Sequence, residues 1–136
     1  RCSRWAAEAA RVPLMLMSLF KMDVPPRGSF LEALLRICNA RWLASLDSKA
    51  FCIMGTTLWR YCRCIPLSRA EAFLDVARIR LPALRDAEPF FVFQAALHFI
   101  ASEPRLADSP SASAFFQCFY VQCRPWTQTI PLPKLI

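Results

Sequence analysis

The chain holds one histidine, His98, inside the apolar run AALHFIA. A lone imidazole with no acid pair and no nucleophile elbow gives general acid–base or nucleophilic chemistry little to use. Two glycines in 136 residues leave no glycine-rich loop to cradle a phosphate. His98 stands 39 residues beyond Trp59 and 78 beyond Phe20, both core-type positions, so it reads as a structural or partly buried histidine. The expectation is a chain without catalysis and without a cofactor.

Cysteine offers a sharper possibility. Cys62-x-Cys64 and Cys118-x4-Cys123 supply four thiolates, the number a structural zinc site takes. The spacing departs from the C-x2-C of zinc ribbons, and unligated thiols are the expected state. The total of seven is odd, and Cys38 and Cys52 sit among apolar residues, where reduced cysteine behaves as a small hydrophobe. Together these features indicate a reducing compartment.

The arginines are the third lead. Seventeen basic against ten acidic residues give a net charge of +7, with only three lysines, Lys21, Lys49 and Lys134. A domain this basic points to an anionic partner, with nucleic acid first and a membrane surface second. Arg60 and Arg63 are spaced for one helix face, Arg69 follows across a short turn, and Arg78 and Arg80 lie along the next helix. Stacked guanidiniums suit a phosphate backbone. The bland reading is that they solvate helix faces and pair with Glu32, Asp75 or Glu88.

A scaffold must position these groups, and the chain is long enough for one packed domain. It is 56 % hydrophobic, yet Lys21, Asp47, Arg60, Arg85 and Glu88 interrupt every apolar run short of a membrane span. The first residue is Arg1, which we read as a processed or truncated start with any targeting peptide already removed.

An internal interval organises the rest. Residues 12–50 laid over 51–89 without gaps give nine identities in 39 pairs, where composition alone gives roughly three. Ser29/Ser68, Glu32/Glu71, Asp47/Asp86 and Arg41/Arg80 are among them. SFLE and SRAE read as Ser-x-x-Glu capping boxes, and the two aspartates as N-caps or near-caps. A repeat of this length predicts an all-α protein, an α-solenoid of antiparallel helix pairs with a 39-residue period. First helices are expected at 10–22, 48–62 and 87–102. Second helices are expected at 29–46 and 68–84, the latter ending or kinking early at Pro82. Arg41 and Arg80 then stand side by side. The third first-helix, PFFVFQAALHFIA, is apolar all round and is expected to be buried between neighbours.

Three segments follow from this reading. Residues 1–103 form the repeat stack. Residues 104–124 hold a Ser/Pro loop and an atypical capping helix at about 112–123. Residues 125–136 form an extended Pro-rich tail, whose Trp126, Ile130, Leu132, Leu135 and Ile136 call for docking on a partner or on the domain itself.

The stretch VPPRGSFLEALLRICNARWLASLDSKAFCIMGTTLWRYCRC resembles an octotricopeptide-type repeat. Pro25 and Pro26 match its Pro-rich opening, Phe30-Leu31 its aromatic–Leu pair, Leu43 and Leu46 its Leu-x-x-Leu exit, and Leu58-Trp59 its second-helix core. Pro66, Phe73-Leu74, Leu81 to Leu84 and Ala96-Leu97 match the following unit. FAST-kinase-like and heptatricopeptide repeats share this pattern. TTLWRYC departs from it where the family is richer in alanine, and the units number two to two and a half. The resemblance implies an organellar RNA-binding helical repeat, mitochondrial first and plastid second. The expected role is a non-catalytic structural subunit of a ribonucleoprotein, foremost the mitochondrial ribosome, holding rRNA phosphates through Arg41, Arg60, Arg63, Arg69, Arg78 and Arg80. The alternative is a protein-only scaffold, such as a supernumerary subunit of a respiratory complex.

Overall fold

A computed structural model describes residues 11–23, 28–61 and 65–122, apart from the side chains of Met17 and Phe20. Every regular element among them is helical. We number the helices α1 (Val12–Lys21), α2 (Gly28–Ile37), α3 (Ala40–Ser45), α4 (Ser48–Tyr61), α5 (Leu67–Arg80), α6 (Glu88–Ser102) and α7 (Pro110–Gln122). Two 3-10 turns, η1 (Leu81–Ala83) and η2 (Pro104–Asp108), punctuate the second half. Helices α1, α4 and α6 pack in sequence against one another; so do α3, α5 and α7. None is long and apolar enough to cross a membrane.

Local chemistry sets most of the boundaries. Asp47 Oδ1 accepts from the Ala50 amide at 2.7 Å and starts α4, as an N-cap should. Pro82 closes α5, which tightens into η1 because proline cannot continue the hydrogen-bond ladder. The expected second helix at 29–46 is broken into α2 and α3. Asn39 is extended at φ −90°, ψ 167°, and its Oδ1 accepts from the Trp42 amide at 2.9 Å. The asparagine side chain replaces a turn of backbone bonding and restarts the helix.

The capping boxes are not formed as expected. Ser29 and Ser68 both lie at the second helical position, inside the first turn. Pro66 precedes α5 with no side-chain cap; its pre-set φ of −58° starts the helix, and its carbonyl accepts from Arg69 and Ala70. Glu71 is thereby released and accepts from the Ser109 hydroxyl at 2.6 Å, tying α5 to the start of α7. Asp86 also differs from its counterpart Asp47. It sits at φ 55° in the turn before α6, a left-handed conformation that aspartate tolerates better than most residues. The turn is closed by Glu88, whose Oε1 accepts from the Arg85 amide.

The core is aromatic at its centre. Phe73 of α5 stacks on Phe51 of α4 at 4.6 Å and meets Phe99 of α6 edge-on at 5.3 Å, so one ring joins both rows of helices. Between α6 and α7, Phe93 stacks on Phe119 at 4.4 Å and meets Phe116 edge-on at 5.8 Å. The hydroxyls of Thr56 and Thr57 bond to the carbonyls of Cys52 and Ile53, so a Thr pair is accommodated inside α4.

Helix α6 departs from the repeat register. In α4 the buried residues are Phe51, Cys52, Met54, Gly55, Thr57 and Leu58. Their counterparts 39 residues on include Phe90 and Leu97, which are exposed. The buried face of α6 is instead Val92, Ala95, Ala96 and Phe99, two residues further along. Small Ala95 and Ala96 face the core because large rings, Phe73 and Phe99, already fill it. The third first-helix is therefore exposed on one side, contrary to the expected burial all round.

Gly55 is where this packing is tightest. A Cβ there would lie 2.8 Å from Phe73 Cζ and 3.5 Å from Ala95 Cβ. The Phe73 ring is fully buried and held between Phe51 and Phe99, so it has little room to swing aside. Gly55→Ala should destabilise by ~1–2 kcal/mol in urea unfolding, overpacking outweighing alanine's helix propensity. Adding Phe73→Leu should make the effect of Gly55→Ala smaller in a double-mutant cycle. An alanine variant as stable as the parent would show the ring to be adaptable.

Candidate anion-binding edge

Arginine placement follows from how helices end. The last carbonyls of a helix lack intrahelical donors and carry the negative end of its dipole. Breaking the second helix at Asn39 adds a second such end, that of α2, to the end of α3. Arg69 Nη2 donates to the Arg36 carbonyl of α2 at 3.3 Å. Arg80 Nη2 donates to the Ala44 carbonyl of α3 at 2.7 Å and to the Leu46 carbonyl just after it. Its guanidinium also lies over the Phe51 ring, 5.3 Å from the centroid. Two arginines of α5 thus hold the ends of α2 and α3.

These bonds satisfy dipoles but cancel no formal charge. Arg41, exposed on α3, sits one turn before the Ala44 carbonyl that Arg80 binds. Arg36 is exposed at the end of α2, on the residue whose carbonyl Arg69 binds. Arg36, Arg41, Arg69 and Arg80 form no carboxylate ion pair among the described residues; the pair found there is Arg105 with Glu103 at 2.9 Å. The result is an edge of four positive residues along α2, α3 and α5. Arg36 escaped the sequence reading because its counterpart at the 39-residue interval is Asp75. Its basic neighbours on α3 and α5 become apparent only in three dimensions.

Arg60 and Arg78 have other surroundings. Arg60 is exposed in the last turn of α4, its guanidinium 5.7 Å from the Tyr61 ring centroid. Arg78 lies two residues before Arg80, about 200° around α5 from it. It is half-buried, and its Nε is buried without a hydrogen-bond partner among the described residues. Arg63 lies outside the described residues.

His98 is not a core residue. It is exposed, and its ring stacks on Trp59 at 4.1 Å with 7° between the planes. The rotation of α6 takes position 98 away from the core, while Trp59 remains close enough to cover one imidazole face. Of the four cysteines weighed for zinc, Cys62, Cys64 and Cys123 lie outside the described residues, and Cys118 is half-buried. Among the described residues no group of three or more His, Cys, Asp or Glu is placed to hold a metal.

Cys52 is a structural thiol. Its Sγ donates to the Glu88 carbonyl at 3.9 Å, linking α4 to the start of α6. Burial, and then the Glu88 carboxylate, push the thiol up to about 12, against a smaller opposing pull from Arg80. The native state thus retains a proton that the unfolded chain releases above about 9.0. This site adds no pH dependence below that value and costs stability as pH rises toward 12. Cys52→Ala should flatten the alkaline fall in denaturation midpoint; an equally steep fall would place its cause elsewhere.

Arg80 gives a separate test of the helix-end bonds. Arg80→Lys keeps the charge but loses the planar guanidinium that lies over Phe51 while Nη2 holds both carbonyls, and should destabilise by ~1–2 kcal/mol in urea unfolding. Unchanged stability would mean that water satisfies the α3 carbonyls equally well. Comparison with known protein families, curated proteins and solved structures finds no match for this chain.

Proposed function

We propose that this chain is a non-catalytic, RNA-contacting structural subunit built as a short α-solenoid of antiparallel helix pairs. The packing sequence α1–α4–α6 beside α3–α5–α7 supports the solenoid reading, since each new helix lies on its predecessor of the same kind. The observation that carries the RNA reading is the edge of Arg36, Arg41, Arg69 and Arg80, whose charge no carboxylate neutralises among the described residues. A phosphate backbone carries a charge at every nucleotide and tolerates such an edge without sequence-specific pockets. The octotricopeptide-type resemblance points to mitochondria, with plastids second, and the ribosome is the assembly that best suits a short basic repeat.

Binding here is electrostatic. Arg36 and Arg41 have exposed guanidiniums to offer, while Arg69 and Arg80 add field from donors partly committed to helix ends. A protein-only scaffold is the second reading, favoured by exposed Leu14 (67 %) and Met22 (63 %) on and just after α1. The two readings differ in salt response.

Fluorescence anisotropy with labelled poly-uridine across a salt series tests the proposal. The parent chain should bind with affinity falling as salt rises. Arg36→Gln with Arg41→Gln should weaken binding and make the log–log slope shallower by about 0.7 for each phosphate no longer neutralised. Absence of binding, or a double variant with unchanged affinity and slope, would overturn the RNA reading and leave the scaffold.

A further inference from the structure

The open side of α6 continues onto α7. Phe93 and Phe116, half-buried and in edge-on contact, mark where the two helices meet. One turn along α6 from Phe93 stands Leu97, 49 % exposed; one turn along α7 from Phe116 stands Tyr120, 61 % exposed. Positions four apart share a helix face, so these four side chains form an apolar strip with a packed middle, Phe93 and Phe116, and exposed ends, Leu97 and Tyr120. In α4 the comparable side is covered by α6. Nothing among the described residues covers Leu97 and Tyr120 in the same way.

The segment made of Arg124 and the tail expected at residues 125–136 lies outside the described residues. It begins at Arg124, two positions after Gln122, the last residue of α7 and itself two beyond Tyr120. Its sequence, RPWTQTIPLPKLI, carries Trp126, Ile130, Leu132, Leu135 and Ile136. Ile130 and Leu132 alternate with Thr129 and Pro131, the period at which an extended chain presents one face. Thirteen extended residues reach up to ~45 Å, whereas the 15-residue α6 is ~22 Å long, so the whole strip lies within reach. Pro125, Pro131 and Pro133 have no amide N–H to leave unpaired, and they reduce the entropy lost on ordering.

We propose that residues 124–136 dock back in cis on the strip formed by Phe93, Leu97, Phe116 and Tyr120. The tail would act as the cover that a further repeat helix supplies inside a longer stack. Docking places Trp126 near the α7 end, since it is only four residues beyond Gln122. It also hides an apolar surface that would otherwise recruit another helix. The tail docks this way whether or not the arginine edge meets RNA.

Photo-crosslinking in the full chain tests this, with Trp126 replaced by p-benzoylphenylalanine and adducts mapped by peptide mass spectrometry. The expected result is an intramolecular adduct to α6 or α7 peptides, with a yield independent of protein concentration. Adding Leu97→Glu and Tyr120→Glu, both at exposed positions, should lower that adduct roughly tenfold while circular dichroism stays unchanged. An adduct between two chains that grows with concentration would make a second copy the occupant and overturn the proposal. Adducts confined to other elements, or insensitive to the two substitutions, would overturn it as well.

Discussion

The packing of this domain depends on one ring in one notch. Phe73 reaches from α5 between α4 and α6, and it fits because Gly55 presents no Cβ to it. An aromatic ring at this depth removes a large apolar area from water and pins three helices at once. The consequence is geometric. With Phe73 in the centre and Phe99 of α6 set edge-on to it, the α6 positions beside them take the small side chains of Ala95 and Ala96. Phe90, Phe91 and Leu97 face outward, and the open side of α6 follows from that rotation.

A similar constraint governs the arginines. Asn39 breaks a helix and thereby adds a carbonyl end, that of α2, to the end that α3 has in any case. Arg69 and Arg80 reach from α5 to occupy them. A guanidinium bonded to backbone carbonyls retains its full charge, so a structural device also leaves a positive edge. Structure and charge are therefore not rival explanations of these residues. Arg80 serves packing through the two carbonyl bonds of Nη2 and its place over the Phe51 ring, and it contributes to the surface field at the same time.

Much of the fold was legible in local sequence. Asp47 before an apolar run announced the start of α4, and Pro82 announced the end of α5, because capping and proline effects act over a single turn. The edges of α1, α4 and α6 fell within two residues of expectation for the same reason. The Ser-x-x-Glu pairs misled because their spacing matches a capping box wherever the helix happens to begin; Pro66 moved that beginning by two residues and freed Glu71 for Ser109. Asp86 misled in a related way: an aspartate suits both an N-cap and a left-handed turn, and only the chain's path selects between them.

What the sequence determined by itself was the helical class, the order of helices and the excess of positive charge, all properties of nearest neighbours and composition. Tertiary structure decided which face of each helix is buried and which arginines stand together. Periodicity defines a helix's apolar side only as broadly as its apolar residues do, and α6 has them on every side. Its rotation was settled by the volume left beside Phe73, a quantity set by residues distant in sequence. For the same reason His98 left the core, and Arg36 joined an edge that no repeat interval foretold.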